Sequence, residues 1–316
     1  MLKLLCVFVG VMWSVSSWSS AGYDWLSKMS QAFDQLSYDG VFVYNQGNDI
    51  NSMRIRHGLI GGVRYESLSD LDGERHEMIR VDGTTLCVAP DIHRLTQLPV
   101  LERPFSQFRQ LDEQQLAQTY SAQLDTQTTW VADREVKRIE LIPQDDQRYG
   151  HVFWLDQGNG FLLKHDVVDG EGKLLERTQF TTITFTPELS EADFVPAPAS
   201  AVQVFEEEQQ AQDADHGWRF AWLPTGMQPV WQQSQQLSNG VSMMLLSDGI
   251  ASVSLFALPV GNEEQSDDKL LASGATSVAE RMQTWRGQQY LISAVGEIPP
   301  QTIDKLLQGA ELREAP

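Results

Sequence analysis

The stretch Asp39 to Pro90 reads DGVFVYNQGNDINSMRIRHGLIGGVRYESLSDLDGERHEMIRVDGTTLCVAP, and its punctuation decides the fold. The dipeptides Asn48-Asp49, Gly61-Gly62, Asp72-Gly73 and Asp82-Gly83 separate runs of strand length. Gly, Asn and Asp accept the positive φ of tight primed turns, so each dipeptide is a hairpin signal. The runs between them, Val41–Gln46, Met53–His57, Val63–Leu68, His76–Val81 and Thr84–Ala89, carry the composition of strands. Successive hairpins predict an antiparallel meander, and its apolar face needs a cover. That cover, or a ligand in its place, is where function is expected.

Working outward, the run Tyr23–Ser37 precedes the meander with Trp25, Leu26, Met29, Ala32, Phe33 and Leu36 on one helical face. Asp24 is its expected N-cap. Beyond Pro90, Pro99–Gln118 breaks the strand rhythm; Pro104 suits a short helix start, and Asp112 caps a second over Leu111–Gln118. These pieces suit either a plug on the sheet or a lid. Strands resume from Tyr120 to Thr186 at Arg138–Ile142, Gly150–Leu155, Phe161–Val168 and Leu174–Phe185. Val152-Phe153-Trp154-Leu155 is apolar on both strand faces, which implies burial on both sides. About ten strands between Asp39 and Thr186 predict a strongly curved sheet or a partly closed barrel.

Ser190 suits the cap of a single turn, and Ala197–Asp213, with Pro198 and the acidic run Glu206-Glu207-Glu208, reads as an exposed linker. Residues 215–316 then form a smaller α+β unit. Trp218–Leu223 is a strand, Val241–Leu246 and Ile250–Leu258 flank the turn Ser247-Asp248-Gly249, Tyr290–Val295 follows Gly287, and Pro299–Ala310 is a closing helix.

Composition bounds the function. The chain has 316 residues, 43 Asp and Glu against 23 Lys and Arg, and a formal charge of −20, a field that repels phosphate backbones and disfavours nucleic acid as partner. Met1-Leu2-Lys3, the apolar run Leu4 to Val15 and Ser19-Ser20-Ala21 have the layout of a secretory signal peptide. Cleavage after Ala21 leaves 316 − 21 = 295 residues, in which Cys87 is the remaining cysteine and is expected as a buried apolar residue. No nucleophile elbow, phosphate-cradling loop or His-Glu-x-x-His occurs, and the histidines are scattered. Binding is therefore the favoured class over catalysis, with no catalytic residue, metal site or cofactor expected. The negative charge favours a partner segment carrying Lys or Arg.

The run from Trp25 to Tyr44, W-L-x-x-M-x-x-A-F-x-x-L-x-Y-x-G-V-F-V-Y, resembles the start of mature RseB/MucB proteins. The turn Leu71-Asp72-Gly73-Glu74, Trp222-Leu223-Pro224-x-Gly226, Ser247-Asp248-Gly249-Ile250-Ala251-Ser252 and Gly296-Glu297-Ile298-Pro299 are similar to further signatures of that family, in order along the chain. The resemblance implies a periplasmic regulator of the sigma-E envelope-stress response. Such a protein binds the periplasmic domain of the anti-sigma factor RseA/MucA, shields it from site-1 proteolysis, and is released by lipopolysaccharide or mislocalised lipoprotein. It also implies a LolA/LolB-like open barrel with helices in its mouth over residues 22–196 and a smaller partner-binding domain. On that reading Trp25, Met29, Phe33, Phe42, Val152, Trp154 and Leu163 line a lipid-accommodating cavity, or an ordinary closed core. Trp222, Leu245, Phe256 and Tyr290 are the partner-surface candidates, with β-augmentation as the mode. A LolA-type lipid carrier is the alternative, a secreted hydrolase stands third, and monomer and homo-oligomer stay open.

Overall fold

The computed structural model describes residues 17–47, 49–73, 76–89, 105–196, 201–206, 212–214, 216–231, 234–237, 240–261 and 267–314. The meander forms as its turns dictate: β1 (Tyr38–Gln46), β2 (Asp49–Ile60), β3 (Val63–Asp70), β4 (Glu77–Val81) and β5 (Thr84–Ala89) pair in sequence order. Asp82 and Gly83 both take positive φ, 43° and 88°, as a primed hairpin turn requires. β6 (Tyr120–Leu124), β7 (Thr129–Val131), β8 (Arg134–Pro143), β9 (Gly150–Asp156), β10 (Leu162–Val168) and β11 (Leu174–Phe185) follow, and β11 closes back onto β1.

With a further strand β12 (Ala201–Glu206), the result is one antiparallel sheet of order β12-β5-β4-β3-β2-β1-β11-β10-β9-β8-β6, with β7 beside β8. Its edge strands β12 and β6 are not paired with each other, so the curved sheet stays open among the described residues. This is the mainly β architecture expected, with helices on one face.

β12 (Ala201–Glu206) corrects the linker reading. Residues 201–206 pair with β5 along its whole length, from Ala201 opposite Ala89 to Glu206 opposite Thr84. The alternation of Ala201-Val202-Gln203-Val204 supplies a strand that the prolines and acidic run nearby obscured; residues 197–200 and 207–211 lie outside the described residues. Cys87 is buried beneath this join, beside Ala89 and Ala201, and burial pushes its thiol up.

Helix α1 (Ser17–Gln35) crosses the sheet against β6 and β8. It begins before Tyr23, so Asp24 and Ala21 lie inside it and Asp24 is not its cap. Tyr23, Leu26, Met29, Ala32 and Phe33 face the core with Tyr38, Phe42, Phe161 and Phe180. Ser190 caps the 3-10 turn Glu191–Phe194 as expected, sharing Asp193 Oδ2 between its amide and hydroxyl at 2.9 Å each.

The smaller unit contains β13 (Gln212–Asp213), β14 (His216–Phe220), β15 (Gln228–Pro229), β16 (Gln235–Gln236), β17 (Ser242–Ser247), β18 (Ser252–Val260), β19 (Lys269–Ser273), β20 (Thr276–Trp285), β21 (Gln288–Gly296) and β22 (Ala310–Glu314). Its main sheet runs β13-β16-β17-β18-β21-β20-β19, with β15 beside β17, and β14 pairs with β22. The helix Pro300–Gln308 covers one sheet face with Ile303, Leu306 and Leu307 over Leu255, Ile292 and Ala294.

A close approach fixes the seam of the large sheet. The register of β1 on β11 shifts between Val41 and Phe42, and the Phe180 ring lies over Gly40, where a Cβ would come within 2.7 Å of it. Gly40→Ala is expected to lower unfolding stability by about 1–3 kcal/mol through overpacking, measured by urea denaturation.

Candidate functional site

The concave side of the large sheet is closed by the segment 105–116. Asp112 caps α2 (Glu113–Leu116), accepting from the Gln114 and Gln115 amides at 2.8 and 3.3 Å. Before it, Phe105 is left-handed at φ 60° and leads into the 3-10 turn Ser106–Phe108. The Phe105 ring stacks on Phe33 at 5.3 Å and meets Phe42 at 5.6 Å. Phe108 is buried edge-on against Phe153 at 5.5 Å and His165 at 4.9 Å. Residues 105–116 are therefore a plug seated in the sheet; Pro104 lies outside the described residues.

An ion-pair chain pins the plug. Arg109, buried, donates to Glu66 Oε2 at 2.5 Å and to Asp34 Oδ1 at 2.7 Å, while Ser30 Oγ of α1 donates to the Arg109 carbonyl at 2.6 Å. Glu66 also receives Arg80 at 3.3 Å. Charges this far from water persist only when paired and hydrogen-bonded.

The predicted cavity residues separate into two groups. Met29, Phe33, Phe42 and Leu163 are buried in the core under the plug, and Trp25 packs on its rim with Lys28 Nζ 4.6 Å from its ring. Val152 and Trp154 do not share that face. Val152 stands opposite Glu140 and Asp166, and Trp154 opposite Arg138 and Lys164, the pleat turning both away from Phe153. Lys164 Nζ covers the Trp154 ring at 4.0 Å, so that ring touches the core only from its outer side. A run apolar on both faces leaves strand parity undetermined, and a one-residue error exchanges the faces. Phe105, Phe108, Phe161 and Phe180, which do fill this core, escaped the sequence reading.

Three histidines are buried against this core, His57 on Tyr38 at 5.2 Å and the other two on each other. His151 and His165 stack with rings 5.3 Å apart and a 3.1 Å contact between Nδ1 and Nε2. Burial pushes both down, His165 to about 3, so both stay neutral. The core under the plug is thus aromatic and aliphatic and closed among the described residues, with its charges already paired.

The second feature is the joint between the two units. Arg148, buried, pairs with the buried Asp248, donates to Asp145 Oδ1 at 2.9 Å, and donates to the Thr225 carbonyl at 2.5 Å. Asp248 Oδ1 accepts the Ile250 and Ala251 amides at 3.1 and 2.9 Å. Burial pushes the Asp248 carboxyl up, and the Arg148 guanidinium and these amides oppose it. Ile250 joins the large core.

Across the joint, Glu176 accepts Tyr44 Oη at 3.0 Å, Gln46 Nε2 at 2.9 Å and the Ala275 amide at 2.9 Å. Two positive-φ glycines permit the approach. A Cβ at Gly226 would lie 2.7 Å from Thr119 Cγ2, and one at Gly274 would lie 2.7 Å from Gln46 Cγ.

Of the partner candidates, Leu245 and Phe256 lie on the small sheet's face away from helix Pro300–Gln308. Trp222, under Lys305 at 4.0 Å, and Tyr290, against Trp285 at 6.2 Å, pack instead on the helix-side core. Leu245 borders a groove of 620 Å³ between the small unit and the plug.

Two outcomes follow from this geometry. Arg148→Met strands a buried carboxylate and is expected to cost about 3–5 kcal/mol, with Asp248→Asn in the same chain recovering much of it, in urea melts. The depressed histidines act through the unfolded state: above about pH 6.5 both states are neutral and stability is level. Below that the unfolded chain takes protons first, so stability falls as pH drops toward about 3. His165→Leu is expected to flatten that acid loss in pH-resolved melts.

Comparison with known proteins places these features. The family model for the MucB/RseB N-terminal domain matches residues 21–198, and that for the MucB/RseB C-terminal domain matches residues 212–311. The sigma factor AlgU regulatory protein MucB of Pseudomonas aeruginosa is 30% identical over 96% of this chain and 95% of its own length. The sigma-E factor regulatory protein RseB of Haemophilus influenzae is 27% identical over 91% and 90%. In the solved structure of the Pseudomonas aeruginosa MucA/MucB complex, one chain superposes with TM-score 0.75 at 26% identity, over 93% of this chain and all of that one. A second, MucB in complex with MucA(peri), gives 0.73 over the same share. The chain belongs to the MucB/RseB family.

Proposed function

We propose that this protein is a regulator of the sigma-E type. It binds the periplasmic domain of a RseA/MucA-type anti-sigma factor and shields it from site-1 proteolysis. The observation that carries this reading is the likeness, over both units together, to a chain solved in complex with MucA. A likeness confined to the large sheet would have fitted the carrier reading equally well. The apolar leader supports export to the periplasm, and no described helix is long and apolar enough to cross a membrane.

The core under the plug supplies the sensor in this reading. Its filling is aromatic and aliphatic, so acyl chains of lipopolysaccharide or mislocalised lipoprotein are chemically suited to replace Phe105 and Phe108. Replacement displaces the plug and ends the protection.

The test is protease protection with the purified mature chain, the host's anti-sigma periplasmic domain and active site-1 protease. The expected result is slowed cleavage that lipopolysaccharide restores. Unslowed cleavage, with no binding to the anti-sigma domain, would overturn the regulator reading. Protection indifferent to both lipopolysaccharide and lipoprotein would overturn the sensor part alone.

A further inference from the structure

The plug has two faces. Phe105, Phe108 and Leu116 point into the large core, while Gln107, Gln110 and Gln115 of the same segment wall the groove beside the small unit. The opposite wall sets Leu245, half-buried, and Val230, 51% exposed, among the uncharged polar side chains of Gln228, Ser247 and Ser252. Val230 is tied to the sheet by its amide, which donates to the Leu245 carbonyl at 2.9 Å. The groove's 620 Å³ is within the range that takes a short extended segment. Glutamine amides each donate and accept, which suits peptide backbone, and Val230 with Leu245 offers an apolar patch for a side chain of the segment.

Charge distinguishes this groove. The chain carries 43 Asp and Glu, yet the described residues lining the groove include no carboxylate and one cation, Arg80. Four other surface grooves each carry at least one carboxylate among their described residues: Glu66, Glu140, Asp112 and Asp70. A wall free of negative charge on so acidic a protein is complementary to an acidic or uncharged segment. This reverses the basic segment that net charge alone favours.

We infer that this groove seats an extended, acidic or uncharged segment of the anti-sigma factor's periplasmic domain, an inference that rests on the regulator reading above. The plug is then the common wall of the lipid-accepting core and the partner groove. A segment in the groove presses the plug onto its core, and a lipid that lifts the plug removes the groove's wall.

The test measures affinity of the full mature chain for the host's anti-sigma periplasmic domain by calorimetry. Gln110→Glu and Val230→Glu, on opposite walls and both exposed in the free protein, are expected to weaken binding about tenfold or more. Gln110→Lys is expected to bind as tightly as the parent or tighter. A photo-cross-linker at Gln107 is expected to capture the partner, and one at Trp130, 63% exposed on β7, is not. Binding by the parent chain with both glutamate variants within about twofold, or capture from Trp130 alone, would overturn the groove while leaving the regulator reading intact. No binding by the parent chain would overturn both.

Discussion

The buried pair of Arg148 and Asp248 is the constraint on which the rest of the arrangement depends. Neither side chain reaches water, so the two charges depend on each other, with Asp145 and the Thr225 carbonyl completing the shell of Arg148 and two backbone amides that of Asp248. Asp248 belongs to a tight hairpin turn of the small unit, and its amide bonds shape that turn for insertion. Insertion carries Ile250 into the large core and Gly249 to within 3.3 Å, at its Cβ position, of the Gln115 side chain on α2. The small unit therefore bears on the plug directly. With the Glu176 cluster as a second anchor, the joint is held at two points.

The plug is held by forces of opposite character. Phe105 and Phe108 contribute apolar burial, and removing two such rings costs about 6–10 kcal/mol. Burying about ten methylenes of an acyl chain contributes about 8 kcal/mol, so the exchange is near balance. The left-handed backbone at Phe105 tilts it further, since a non-glycine residue there stores about 1–3 kcal/mol. What opposes release is polar: lifting Arg109 leaves the buried Glu66 with the longer 3.3 Å contact to Arg80 alone. A switch needs such near-degenerate states, and differential contacts decide which is populated.

Much of this was legible because turn chemistry is local. Gly61-Gly62 and Asp82-Gly83 announced β3 through β5 to within two residues, and Asp112 announced α2, whereas β2 runs well past both ends of the expected Met53–His57. The helical stripe of Met29 and Phe33 likewise located the core-facing side of α1, although the helix starts earlier than its apolar pattern. What failed was non-local. The face taken by Val152 and Trp154 depends on register with β8 and β10, which a doubly apolar run does not specify. β12 forms only because β5 offers an edge 112 positions earlier (Ala201 to Ala89, 201 − 89 = 112). Arg148 with Asp248, and Arg109 with Glu66, unite residues far apart in sequence, and no spacing rule signals a pair of that kind.

In the proposed regulator, residues 105–116 wall both the lipid-accepting core and the partner groove. Hydrogen exchange of that segment, followed in the free chain, with the anti-sigma periplasmic domain and after adding lipopolysaccharide, tests it most directly. The account predicts increased protection of its amides on partner binding, then loss of that protection as lipid binds and the partner leaves. A stable ternary complex, with lipid bound and the segment's protection unchanged, would contradict it.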